Sequence, residues 1–240
     1  MSGEDRSPQT AYGMVQSQTY DQVRFTTSAG KLFHKMELAQ LNTVLDNLSP
    51  NSRVLEIGCG TGRFMYELLH KGFEVVGLDA SPHMLEESKA RNSQFVNAKF
   101  VLAEGADIKF PAEAFDFVYS IRVLNQVESE EYALHMIREA VRVARKGGWI
   151  LLEFVNKDGM SRPGKSRVRL NYKQVTQAAE HNGGARVQRF SGILFFPETL
   201  MKHTPKVLLP LFELADKAMA SLFPKFCTRC YVILKKEQGV

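Results

Sequence analysis

Apolar positions along this chain recur with two spacings that alternate. A polar head over residues 1–16 leads through Tyr20-Asp-Gln-Val-Arg-Phe25 into a helical pattern from about 30 to 48, which Ser49-Pro50-Asn51 breaks. A buried-strand run, Arg53-Val-Leu-Glu-Ile57, then meets a glycine-rich turn. A helix over about 62–71 follows and stops at Lys71-Gly72. The pattern repeats: a strand from Glu74 to Leu78 ending at Asp79, and a helix opened by Ser81-Pro82. Strands are expected at 98–102, 115–120 and 148–155, with a helix over 129–145. Beyond them come a helix at 171–181, a strand at 185–191, an apolar helical insert and a last strand, Tyr231-Val-Ile-Leu234. Strand alternating with helix predicts a doubly wound α/β fold, a mostly parallel sheet covered on both faces. One domain accounts for all 240 residues: a lid and helix over 1–48, a core over 53–192, the insert over 193–226 and the last strand within 227–236.

Composition narrows the class. Hydrophobic residues make up 44% and charged residues 24%, the balance of a globular protein rather than a disordered or collagen-like one. No run reaches the roughly 18 apolar residues of a membrane span. The polar start MSGEDRSPQT reads as neither signal nor transit peptide. Only Cys59, Cys227 and Cys230 occur, so a cytoplasmic setting is expected. On a strand, the Cys227/Cys230 spacing would send the two thiols to opposite faces. The net charge of +5 is uneven: residues 1–154 hold 16 Lys/Arg against 20 Asp/Glu, and residues 155–240 hold 15 against 6. Part of the excess lies in Arg162-Pro-Gly-Lys-Ser-Arg-Val-Arg169. That run reads as a solvated loop, and without interleaved aromatics it offers no base-stacking platform.

The chemistry concentrates where strands end. Glu56-Ile-Gly58-Cys59-Gly60-Thr-Gly62 joins the first strand to its helix, at the edge where open α/β sheets bind ligands. Its spacing is G-x-G-x-G, with Arg63 where a dinucleotide fingerprint wants glycine. A carboxylate at Glu56 would repel a diphosphate and suit a cation. Asp79, ending the second strand, suits two ribose hydroxyls. Glu104, in Ala103-Glu-Gly105-Ala106 after the third strand, suits an adenine amine. A cationic ligand with ribose and adenine follows, and S-adenosylmethionine answers that description.

Val54-Leu-Glu-Ile-Gly-Cys-Gly-Thr-Gly62 closely resembles the first motif of the class I S-adenosylmethionine-dependent methyltransferases. Val76-Gly-Leu-Asp79-Ala80-Ser-Pro-His-Met84-Leu85 resembles their second. Ala103-Glu104-Gly105 stands in altered form where that family carries Gly-Asp-Ala. Phe115–Ser120 and Lys146–Leu152 resemble the strand-four and strand-five motifs. The resemblance implies a seven-stranded sheet with its last strand antiparallel, and S-adenosyl-L-methionine as cofactor. It implies cofactor contacts at Glu56, Gly58, Cys59, Gly60, Gly62, Asp79, Ala80, Met84, Glu104, Gly105 and Ser120. The expected reaction moves a methyl group to an O, N or C nucleophile of a small, apolar or anionic molecule. A lipid or quinone met at a membrane surface is the alternative, and a non-catalytic cofactor-binding scaffold is a further one. Nucleic acid is disfavoured as substrate, no metal is implied, and the chain is expected as monomer or homodimer.

A general base is harder to place. After strand four stand Leu124-Asn125-Gln126-Val127, and an amide is no proton acceptor at neutral pH. Tyr20 and Arg24 lie in a segment that, by resemblance, folds over the cofactor. His34 shares the helical register of Leu38, Leu41, Leu45 and Leu48, which reads as a core or lid histidine. His203, at the start of the insert, is the best-placed base, so the catalytic candidates are Tyr20, His203 and Asn125. The insert is expected to build the acceptor pocket, with Thr204 capping a helix that Pro210 bends; a core helix or dimer contact is the alternative.

Overall fold

The computed structural model of the protein describes residues 27–160, 166–181 and 184–237. Tyr20, Arg24 and all of the polar head therefore lie outside the described residues, as do residues 162–165 of the basic run. The helix α1 (Ser28–Leu45) begins where the Thr27 side chain accepts the Gly30 amide at 3.1 Å. There follow β1 (Arg53–Ile57), α2 (Arg63–His70), β2 (Glu74–Asp79), α3 (Pro82–Arg91), β3 (Ala98–Leu102) and β4 (Phe115–Ser120). Then come α4 (Glu130–Val143), β5 (Ala144–Val155), α5 (Tyr172–Glu180), β6 (Ala185–Ile193), α6 (Glu198–His203), α7 (Leu209–Leu222) and β7 (Arg229–Lys236). Local chemistry sets the helix starts: Ser81 precedes Pro82 at α3, and Ser129 accepts the Tyr132 amide ahead of Glu130 and Glu131 at α4. Asn171 and Gln174 close a reciprocal capping box at α5.

The seven strands lie in the order β3-β2-β1-β4-β5-β7-β6, with β7 antiparallel to both neighbours, as the resemblance implied. The chain runs outward from β1 through β2 to β3, then returns to β4 on the other side of β1. That reversal opens a crevice over the C-terminal ends of β1 and β4. Two cores flank the sheet. On one face Leu55, Ile57 and Val118 pack under Met136, Ile137 and Ala140 of α4; on the other Val54, Phe117 and Tyr119 pack under α1 and α2.

Three sequence expectations are corrected. The fifth strand does not wait for Gly148 but leaves α4 directly at Ala144. The glycine pair is absorbed in an irregularity, with Phe115 opposite Ala144 and Phe117 opposite Trp149. Pro210 does not bend a long helix; it sits in the first turn of α7, where its missing N–H has no partner to lose. Cys227 lies outside β7, after a 3-10 turn over Pro224–Phe226, so both cysteines enter one core as buried free thiols.

Candidate functional site

The loop from β1 to α2 is held against β2: the Gly58 and Cys59 amides donate to the Leu78 carbonyl at 2.7 and 2.9 Å. Its glycines answer different needs. Gly58 has φ +74°, and a Cβ there would stand 2.3 Å from a Val123 methyl carbon. Gly60 has φ +53° with nothing within 4 Å of a Cβ, so its backbone faces open space that a ligand can enter. Asp79 fixes this loop from below. Its Oδ2 accepts the Gly60 amide at 2.8 Å and its Oδ1 the Ser81 amide at 2.9 Å. Burial raises the carboxyl above the usual Asp range, against the pull of those amides and with the Glu104 charge adding to it.

Above the loop lies an open cleft. Glu56, Gly58, Cys59, Gly60, Asp79 and Ala80 line one side, and Glu104 and Gly105 another. Met84 of α3 and Met136 of α4 add apolar wall between them. Tyr132 lines it too, its hydroxyl donating to the Glu104 carboxylate. Glu56 is the outlier among these groups. It is 3% exposed, and its Oε2 meets no hydrogen-bond partner among the described residues. Burial pushes its carboxyl up to about 8, the Arg63 charge pulling the other way. A buried acid with one uncommitted oxygen beside a cleft suits a cationic ligand group.

Four predicted positions stand apart. Gly62 caps α2 at φ +74°, a step behind the cleft; a Cβ there would strike the Ser88 hydroxyl at 2.3 Å, so its role is packing against α3. The Ser120 hydroxyl donates to the Ile57 carbonyl at 3.1 Å, tying β4 to β1 beneath the site. Asn125 is buried, and its carbonyl accepts the Arg167 amide at 3.0 Å, pinning the end of the basic run rather than facing the cleft. His203 is exposed on α6, its Nδ1 2.7 Å from the Thr199 carbonyl oxygen. These last two candidates for catalysis are therefore not at the site, because the insert folds outward and the loop after β4 turns Asn125 inward. No described side chain of 193–226 lines the cleft. Between them stands α1, with Met36 and Gln40 toward the insert and Glu37 toward the cleft.

A chain of buried ions, missed in the sequence, runs along this edge. Glu37, fully buried in α1, takes Arg63 Nη2 on one oxygen at 2.6 Å and Arg122 Nη1 on the other at 3.1 Å. Burial opposes its ionisation, yet Arg122 and Arg63 bring its carboxyl down to about 2. Arg122, at φ +66°, also donates its amide to Glu153 Oε2 at 2.7 Å, and Arg229 Nη1 meets Glu153 Oε1 at 2.5 Å. Arg63, Arg122 and Gln126 all line the cleft. The signal was present: Glu37 interrupts an apolar helix face between Phe33 and Leu41, and Glu153 interrupts the run Ile150–Val155.

Residues 55–152, from β1 through β5, match the family described as a methyltransferase domain. Among curated proteins the chain is 33% identical over 129 residues to an uncharacterized protein of Methanocaldococcus jannaschii, covering 53% of this chain and 55% of that one. It is 29% identical over 109 residues to a 2-methyl-6-phytyl-1,4-hydroquinone methyltransferase of Synechocystis, covering 45% and 33%. A tRNA U34 carboxymethyltransferase of Shewanella pealeana is 34% identical over 121 residues, covering 48% and 36%. The chain thus spans between a third and just over half the length of these relatives. Among solved structures, magnesium protoporphyrin IX methyltransferase of Synechocystis with bound S-adenosylmethionine superposes at a TM-score of 0.65. That match has 17% identity and covers 98% of this chain and 100% of that one. Such identity speaks to fold.

Proposed function

We propose that this chain, whose residues 55–152 match a methyltransferase-domain family and whose fold is that of the class I S-adenosylmethionine-dependent enzymes, transfers a methyl group from S-adenosylmethionine to a nucleophile of a small molecule. One observation carries the reading. The buried Glu56 carboxyl with its uncommitted oxygen, the open Gly60 backbone and Asp79 share one cleft with an apolar wall. Those groups fit the ligand: Glu56 meets the cationic methionine portion, Asp79 the ribose hydroxyls, and Met84, Met136 and Glu104 the adenine. When bound, the cofactor supplies a sulfonium-activated methyl, which leaves by in-line displacement.

The protein's share of that reaction is positioning and exclusion of water. Val123 and the glycine loop fix the floor, while Glu37 of α1 holds Arg63 and Arg122 at its side. Neither Asn125 nor His203 lines the cleft, so the reading assigns the rate to orientation rather than to a strong base. Arg63 and Arg122 bring positive charge to the acceptor side, which favours an acceptor with an anionic or electron-rich oxygen. A quinol or lipid acceptor is the second reading, favoured by the hydroquinone methyltransferase relative and the apolar insert.

The test begins with titration calorimetry of S-adenosylhomocysteine. Asp79→Ala should weaken binding by about 2–3 kcal/mol, the scale of hydrogen bonds to a charged group. An unchanged dissociation constant would remove the ribose assignment. A labelled-methyl screen over phenols, hydroquinones, amines and tRNA then identifies the acceptor class.

A further inference from the structure

Within the insert, α7 turns Leu211, Leu214 and Leu222 away from the protein. Helical spacing sets Val207, Leu211, Leu214, Ala218 and Leu222 on one stripe, and Val207 and these three leucines are 65% to 83% exposed. What faces inward is Asp216, fully buried, and Ala220. Asp216 accepts the Leu194 and Phe196 amides at 3.1 and 3.0 Å, so a carboxylate moors the helix beside the packing of Leu209, Phe212 and Ala220. Its other charges, Glu213 and Lys217, pair with each other off the stripe, and Glu213 also reaches Lys35 of α1. The apolar surface continues past the helix into Phe223 and Phe226, both exposed. The Met160 amide donates to the Phe226 carbonyl at 3.0 Å, which joins the chain at the 66%-exposed Met160 to this segment. A contiguous apolar face of this kind marks an interaction site.

Its borders are basic. Lys206 stands at one end of the stripe and Lys225 at the other; both are exposed and in no ion pair among the described residues. No acidic side chain lies on the stripe. A second copy laid against this face brings lysine against lysine at both ends, in either orientation, whereas an anionic surface neutralises them. No described helix is long and apolar enough to cross a membrane, so the 14-residue α7 has the length and the polarity to lie in an interface rather than span it. We propose that the outer face of α7, with Phe223, Phe226 and Met160, is the surface by which this chain docks on anionic lipid. The docking stands apart from the methyl-transfer reading, since it involves none of the cleft residues.

Co-sedimentation of the full chain with vesicles tests it, using phosphatidylcholine alone and with roughly one third phosphatidylglycerol. The native chain should partition onto the anionic vesicles, and more weakly as salt rises. Leu211→Glu combined with Leu214→Glu should lower the partition coefficient at least roughly tenfold while S-adenosylhomocysteine binding stays native. Lys206→Glu combined with Lys225→Glu, which alters only exposed side chains, should produce a comparable loss and decides the matter should the leucine pair disturb folding. Absence of native binding to anionic vesicles overturns the proposal, as does equal partitioning of native and lysine variants. So does a dimer seen by light scattering that the leucine variant disperses while vesicle binding is absent.

Discussion

Replacing Glu56 by Gln keeps its shape and removes its proton equilibrium. In the folded, ligand-free chain burial holds this carboxyl at about 8, against an unperturbed 4.5. Between those values the unfolded chain has lost the proton and the folded chain keeps it, so stability falls as pH rises, by about 1.4 kcal/mol per unit. From pH 5 to pH 7 the native protein should lose about 3 kcal/mol from this group alone. Other titrating groups are common to both proteins. The stability of the Gln variant relative to native should therefore grow by about 3 kcal/mol across that interval. Urea unfolding of protein stripped of nucleoside, followed at pH 5, 6 and 7, gives the difference directly. A difference that is constant with pH, or that shrinks, would refute the claim that Glu56 is buried as a neutral acid. The same variant should bind S-adenosylhomocysteine more weakly than native above pH 8, where the native carboxylate is ionised and attracts the ligand's ammonium.

Two further outcomes follow from the geometry. Glu37→Ala leaves Arg63 and Arg122 without their shared carboxylate and should cost about 3–5 kcal/mol by urea denaturation, the loss expected on breaking a buried ion pair. Gly58→Ala should cost about 2–3 kcal/mol from its positive φ and the Val123 contact together; adding Val123→Ala should restore only the contact part, so full recovery in thermal melts would show that φ strain is absent.

The cleft was legible where backbone and local spacing create it. The run Val54–Gly62 fixes strand, turn and helix within nine residues, and Asp79 follows a second buried strand. Positions whose partners are remote were not legible. Glu37, Arg63, Arg122, Glu153 and Arg229 form one ionic chain across 193 positions of sequence, and only the sheet order brings them together. The insert shows a different limit. Its periodicity located a helix correctly, but period alone does not say which side faces inward. Asp216, the least expected anchor, settled the orientation and sent the leucines outward. Asn125 and His203 stand off the cleft for the same reason: their neighbourhood was legible, whereas the turn of the loop and the outward path of the insert decided where they face.

The mooring of α7 by Asp216 has a consequence for how this chain tolerates change. Leu194 holds φ +58° and gives its amide to that carboxylate, so the buried polar attachment joins one side chain to main-chain groups, while Leu209, Phe212 and Ala220 supply the apolar contacts on the inner side. Main-chain amides are the same whatever residue carries them. The outer stripe is thereby released from the demands of folding, and substitutions along it alter what the protein meets without altering how it folds. A segment built this way is free to drift toward new surroundings while the cleft beneath it keeps its shape.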